Sequence, residues 1–238
     1  MTLKPQKIIR SDRKTIYLCL NKFGELIVKA PKTMPESFIY DIIDKYKDVL
    51  LKQRKRILSQ QRKIKKHLFQ ENEEFLFLGR RLKLRFVPDY DLFSNQVGIM
   101  TTDRHLLLPE RFVKSANKEI ENFYRNEAKK IFESRVQFYI EKYYTIFGEK
   151  LVYSKIKITN GINTVGSCSP KNGLNFSWRL IQAPIRMVDY VVAHEIVHLK
   201  EKHHQKSFWE KMKMLVPDYR KNIEWLKENW FYLKEFLL

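Results

Sequence analysis

The sequence predicts an α+β protein: a β-rich N-terminal region carrying one long basic helix, followed by a mostly helical half with a small sheet. Two observations carry this. Short β-branched runs recur up to Leu108, and apolar residues at spacings of three and four dominate from Lys114 onward.

Taken in order, Lys7–Arg10, Thr15–Asn21 and Glu25–Ala30 read as strands, the last two joined by a turn at Asn21-Lys22-Phe23-Gly24. From Pro35 a helix is expected to run to about His67, with Phe38, Ile42, Ile43, Tyr46, Val49 and Leu50 setting its period. Past Leu51 it turns basic: Lys52, Arg54, Lys55, Arg56, Arg62, Lys63, Lys65 and Lys66, with no acid among them. Two hairpins follow, Glu74–Leu78 with Arg81–Val87 around Gly79, and Gln96–Thr101 with Arg104–Leu108 around Thr102-Asp103. A second long helix spans about Lys114 to Phe147 and stops at Gly148. Strands are expected at Lys155–Thr159 and Leu174–Leu180. Helical pieces at 184–200, 205–215 and 218–236 complete the chain, and Pro184 suits a first helical turn. The division expected is residues 1–112 and 113–238, or one continuous domain.

Composition narrows the function. A content of 44% hydrophobic residues is enough to bury a core. The 46 Lys and Arg against 27 Asp and Glu give a net charge of +19, which favours anionic partners such as nucleotides or nucleic acid. Two distant cysteines, Cys19 and Cys168, exclude a disulfide framework and fit a reducing, cytoplasmic setting. The N-terminus has no apolar signal core, and no stretch is long enough for a membrane span.

The chemistry lies in Val191-Val192-Ala193-His194-Glu195-Ile196-Val197-His198-Leu199, an HExxH motif inside an apolar helix. Residues four apart share a helix face, so His194 and His198 can both address one metal ion. Glu195, one position on, stands beside the metal, where it can take a proton from a bound water. A catalytic zinc takes three protein ligands and keeps one position open. His204, six residues past His198, is the expected third ligand, and His203 is the alternative. Zinc peptidases carrying HExxHxxGxxH share the spacing of His204, but this chain has Glu201 at the glycine position. The turn must therefore be made differently, and His203 is a candidate for a left-handed conformation.

The runs Gly166-Ser167-Cys168-Ser169, Leu174-Asn175-Phe176-Ser177-Trp178-Arg179-Leu180 and Ala183-Pro184 surround this motif. With Asp189-Tyr190, Ser207-Phe208-Trp209 and Pro217-Asp218-Tyr219-Arg220, they resemble the YgjP-like metallopeptidase family. Ile9-Arg10-Ser11-Asp12-Arg13-Lys14, Ala30-Pro31 and the Phe77-Leu78-Gly79 turn extend the likeness over nearly the whole chain. The chain departs from the family at Thr164 and Val165, where Arg-Trp is usual, and at His203, where Asn is usual. The resemblance implies a minimal zincin core, one zinc ion on His194, His198 and His204, and Glu195 as catalytic acid/base.

Around this core, Asn175, Arg179 and Tyr219 are candidates for contact with substrate, the first two on a strand whose free edge an extended peptide can join. Asp189 is either an acceptor supporting a ligand histidine or a surface charge. Cys168 is expected as a small buried residue of a tight turn. The reading is a zinc-dependent hydrolase acting on peptide or protein. Its alternatives are a metal-dependent nucleotide phosphoanhydride hydrolase and a nucleic-acid-binding protein with a structural zinc.

Overall fold

The computed structural model describes residues 3–21, 23–61, 67–89, 98–234 and 236. It is a mixed α+β structure with six α-helices and three small mixed sheets among these residues. The chain forms two compact units, Met1–Lys65 and Lys66–Leu238, each with its own hydrophobic core. The division expected near residue 112 falls inside the second unit.

In the first unit, β1 (Lys7–Ser11), β2 (Tyr17–Leu20) and β3 (Leu26–Pro31) form a sheet in the order β1-β3-β2. β1 is parallel to β3 and β2 antiparallel to it. The β2–β3 turn is closed by Asn21, whose Oδ1 accepts the N–H groups of Phe23 and Glu25 at 2.9 Å each, and Gly24 supplies φ 72°. The long helix expected from Pro35 is two helices, α1 (Glu36–Lys45) and α2 (Lys47–Gln61). Tyr46 interrupts them at φ −103°, ψ 11°, without a proline or glycine to mark the break, so the apolar period runs through it. Ile39, Ile43 and Leu50 pack with Leu26, Val28 and Ala30 of β3. Of the expected basic run, Arg62, Lys63, Lys65 and Lys66 lie outside the described residues.

The second unit opens with β4 (Glu74–Phe77), β5 (Arg80–Val87), β6 (Met100–Thr101) and β7 (His105–Pro109), in the order β4-β5-β7-β6. Both expected hairpins are present, joined through parallel pairing of β5 with β7. Gln96 and Val97, the start of the third expected strand, lie outside the described residues. Helix α3 (Ala116–Phe147) follows a short 3-10 turn and ends at Gly148, φ 68°. Its buried residues, Ala116, Ile120, Tyr124, Ala128, Phe132, Val136, Tyr139 and Tyr143, form one stripe along its length.

The last sheet contains β8 (Lys155–Thr159), β9 (Gly166–Cys168) and β10 (Gly173–Ser177), in the order β8-β10-β9. The strand expected over Leu174–Leu180 ends at Ser177, and Trp178–Gln182 is a 3-10 turn. β10 is moreover the central strand, bonded on both sides, so its edge is not free. The edges belong to β8 and to β9, and the three residues of β9 are too few to signal a strand in the sequence.

Helices α4 (Ile185–Val197), α5 (Lys206–Leu215) and α6 (Tyr219–Lys234) complete the fold. The β4–β5 turn fixes where α4 begins. Leu78 N–H donates to Ile181 O at 2.7 Å and Gly79 N–H to Gln182 O at 3.0 Å. A Cβ on Gly79 would lie 2.9 Å from Pro184 Cα, and its φ of 79° is itself one that glycine adopts freely.

Candidate metal centre

Helix α4 is buried along most of its length, from Met187 to Val197. It carries His194 and His198 one turn apart, and the chain then folds back to bring His204 onto them. The three Nε2 atoms form a triangle with sides of 3.2 Å (His194–His198), 3.1 Å (His198–His204) and 3.0 Å (His194–His204). Three hydrogen bonds cannot account for it. An imidazole nitrogen either carries a proton and donates or lacks one and accepts, so at least one side of the triangle pairs two donors or two acceptors. A shared cation would resolve this. Two nitrogens of a tetrahedral zinc site, each ~2.0–2.1 Å from the ion, stand about 3.3 Å apart. Among the described residues, this is the one group of three or more His, Cys, Asp or Glu whose donor atoms converge in this way.

Protonation suits the same ion. Burial, with His198 and His204 nearby, pushes the His194 pKa down to about 3, and burial lowers that of His198. Both imidazoles are thereby kept neutral, as a cation requires. His198 Nδ1–H donates to Glu201 O at 2.7 Å, which leaves the Nε2 lone pair for the metal. His194 Nδ1 is buried and has no hydrogen-bond partner among the described residues. Asp189 does not supply one, because it pairs with Arg135 of α3 at 2.5 Å, tying the metal helix to the long helix.

The turn from His198 to His204 contains no left-handed residue, so the role expected for His203 is not used. His203 points outward, with its Nε2 3.9 Å from Glu201 Oε2 and half of its side chain exposed. Glu201, at the position that holds glycine in the HExxHxxGxxH pattern, organises the turn instead. Its N–H donates to Val197 O at 2.9 Å. Its carboxylate accepts Ser207 Oγ–H at 3.0 Å and Lys211 Nζ–H at 2.8 Å, and the Lys211 bond holds its pKa below the usual range. Removing a support of this kind typically costs 10–100-fold in metal affinity. Glu201→Ala is therefore expected to weaken zinc binding by about 10-fold or more, measured by competition with a chelating dye, while Glu201→Gln retains more of it.

Two aromatic residues of α5, which the sequence marks only as part of the family likeness, pack against the triad. Phe208, fully buried, lies 4.7–4.9 Å from all three imidazole centroids. Trp209 Nε1–H donates to His204 O at 3.1 Å, and its ring stacks on Tyr219 at 5.3 Å.

Glu195 is 5% exposed. Burial raises its pKa to about 8, against the opposing effect of the Cys168 N–H, which donates to it from β9. A neighbouring cation would pull this value back down. Strand β9 approaches closely enough that a Cβ on Gly166 would lie 2.9 Å from Glu195 Oε1 and 2.8 Å from Val191 Cγ1. Gly166→Ala is accordingly expected to displace the Glu195 carboxylate and lower turnover about 100-fold, with zinc still bound, as paired activity and metal analyses would show.

The other candidates separate. Asn175 of β10 lies beside β9, its Nδ2 3.2 Å from Ser167 Oγ. Tyr219 opens α6 against Trp209, and its hydroxyl accepts Arg220 Nε–H at 3.2 Å. Arg179 is 1% exposed, with its guanidinium 4.4 Å from the Trp178 ring centroid and bonded to Asn160 Oδ1. Lying in the turn after Ser177 and buried, it does not face solvent as a substrate contact would. Cys168 is half-buried on β9, not in a turn, with Lys202 Nζ 3.6 Å from its sulfur. Burial raises the thiol pKa, with Lys202 opposing.

An HExxH run on a helix, a third histidine from the following turn and a strand lying against the glutamate are parts from which a metal-dependent hydrolase could be built. The chain belongs to the YgjP-like family: it matches the YgjP-like metallopeptidase domain over residues 14–229. No curated protein and no solved structure matches it. No helix among the described residues is long and apolar enough to cross a membrane.

Proposed function

We propose that this protein is a zinc-dependent peptidase, with one zinc ion held by His194, His198 and His204 and with Glu195 as general base. The observation that carries this reading is the 3.0–3.2 Å triangle of Nε2 atoms, with the buried Glu195 next in sequence to its first corner. Three protein ligands leave one tetrahedral position for water, which separates a catalytic site from a closed structural one. Zinc so held supplies a water of pKa about 7 and polarises a carbonyl.

The residues of the chain do the rest. Glu195 accepts a proton from the attacking water and returns it to the departing amine nitrogen. Burial, which strengthens its hold on a proton, suits a group that must accept one and then deliver it. The backbone edge of β9 that faces away from β10 can pair with an extended peptide through groups other than the Cys168 N–H, which Glu195 takes, while alternation along β10 puts Asn175 on the sheet face opposite Gly166. The Cys168 N–H holds the carboxylate in place.

Digestion of a mixed peptide library by the zinc-loaded protein, read by mass spectrometry with Glu195→Gln in parallel, tests this. Cleavage by wild type alone is expected. Undiminished cleavage by the variant, or hydrolysis of nucleoside triphosphates with no peptide cleaved, would overturn it.

A further inference from the structure

The charge of the chain is unevenly placed. Residues 1–65, the first compact unit, hold 17 of the basic and 6 of the acidic residues, a net charge of +11 out of +19. Four of these acids, Glu36, Asp41, Asp44 and Asp48, lie on α1 and the first turn of α2. Residues 1–35, which carry the sheet, hold 8 basic and 2 acidic residues. The metal centre uses nothing in this unit.

The sheet has one face packed and one open. Leu26, Val28 and Ala30 of β3 point into the core with Ile39, Ile43 and Leu50. Alternation puts Ile27 and Lys29 on the other face. Register then builds two cross-strand rows there, Lys7–Ile27–Cys19 and Ile9–Lys29–Tyr17. Lys7 and Lys29 are exposed, Tyr17 is 53% exposed, and both isoleucines are half-buried. The guanidinium of Arg13 stands 5.9 Å from the centre of the Tyr17 ring. No acid occurs in either row, and the nearby Asp12 is paired with Lys32 at 3.0 Å.

An open aromatic ring on a sheet, flanked by cations, with Glu25 of the same face bonded to Asn21 Nδ2 at 2.7 Å, has the chemistry of a surface for unpaired bases on a phosphate chain. We propose that the first unit binds single-stranded nucleic acid across this face, with a base stacked on Tyr17 and phosphates held by Lys7 and Lys29. The exposed Lys52, Arg54 and Lys55 of α2 add to the attraction at longer range. A duplex offers no free base face to the ring. An anionic membrane would need an apolar face ringed by cations. Of the exposed apolar residues from Phe38 to Leu58, four, Phe38, Tyr40, Tyr46 and Val49, stand instead among the four acids.

Fluorescence anisotropy with the full-length protein tests the proposal, using a short labelled mixed-sequence single strand, the matching duplex, and phosphatidylserine vesicles as competitor. Binding to the single strand is expected to be tighter than to the duplex and to weaken as salt rises from about 50 to 200 mM. Tyr17→Ala should weaken it about fivefold or more, and Tyr17→Phe, which keeps the ring, should not. Lys7→Gln with Lys29→Gln should lower the salt slope by about 1.4, at ~0.7 per phosphate contact. Circular dichroism of each variant checks that the unit is folded. No binding at low salt, equal affinity for duplex, binding unchanged in Tyr17→Ala, or full displacement by the vesicles would each overturn the proposal.

Discussion

Glu195→Gln is expected to lower kcat by about 10²–10⁴ while the zinc content stays at that of wild type. The amide has nearly the shape of the carboxylate, and its carbonyl oxygen can still accept the Cys168 N–H, so β9 and α4 keep their packing. What it loses is the capacity to take a proton. The effect should therefore fall on kcat rather than on substrate affinity, because the proton moves only as the reaction proceeds. Steady-state cleavage of a fluorogenic peptide selected from the library, with metal analysis of the same preparations, checks both halves. A variant that turns over at the wild-type rate would exclude Glu195 as the base.

The second large effect is expected at His198. Its Nε2 is a corner of the nitrogen triangle, and its Nδ1–H holds the turn through Glu201 O. His198→Ala removes a ligand and releases the turn that delivers His204, so bound zinc should fall from one equivalent to none after dialysis. Zinc should raise the melting temperature of wild type but not of the variant. Ligand at 1,000 times its Kd adds about 4.1 kcal/mol of stability, which the variant cannot gain. A full equivalent of zinc retained by His198→Ala would remove this histidine from the site.

Much of this was legible in the sequence, for identifiable reasons. His194, Glu195 and His198 stood out because polar residues interrupt an apolar run at helical spacing, which leaves few geometries open. The hairpins around Gly79 and Thr102-Asp103 and the end of α3 at Gly148 could be read because turn chemistry is local. The failures were of the opposite kind. Tyr46 breaks a helix at a residue that favours none of the usual stops. β9 is three residues long, and only its pairing with β10 makes it a strand. Without β9, the free edge went to β10 and Arg179 was turned toward the substrate, although it is buried beneath Trp178. The supports of the metal turn, Glu201 with Ser207 and Lys211, and Phe208 beneath the imidazoles, are contacts between elements. No local pattern announces such contacts, and Glu201 read as a departure from the glycine pattern rather than as its replacement.

X-ray absorption at the zinc edge of the zinc-loaded protein tests the centre most directly. Three imidazole nitrogens at about 2.0–2.1 Å with one further oxygen are expected, the shell of a site open to water. A sulfur at about 2.3 Å, which would bring Cys168 onto the metal, or a fourth imidazole closing the shell, would contradict it.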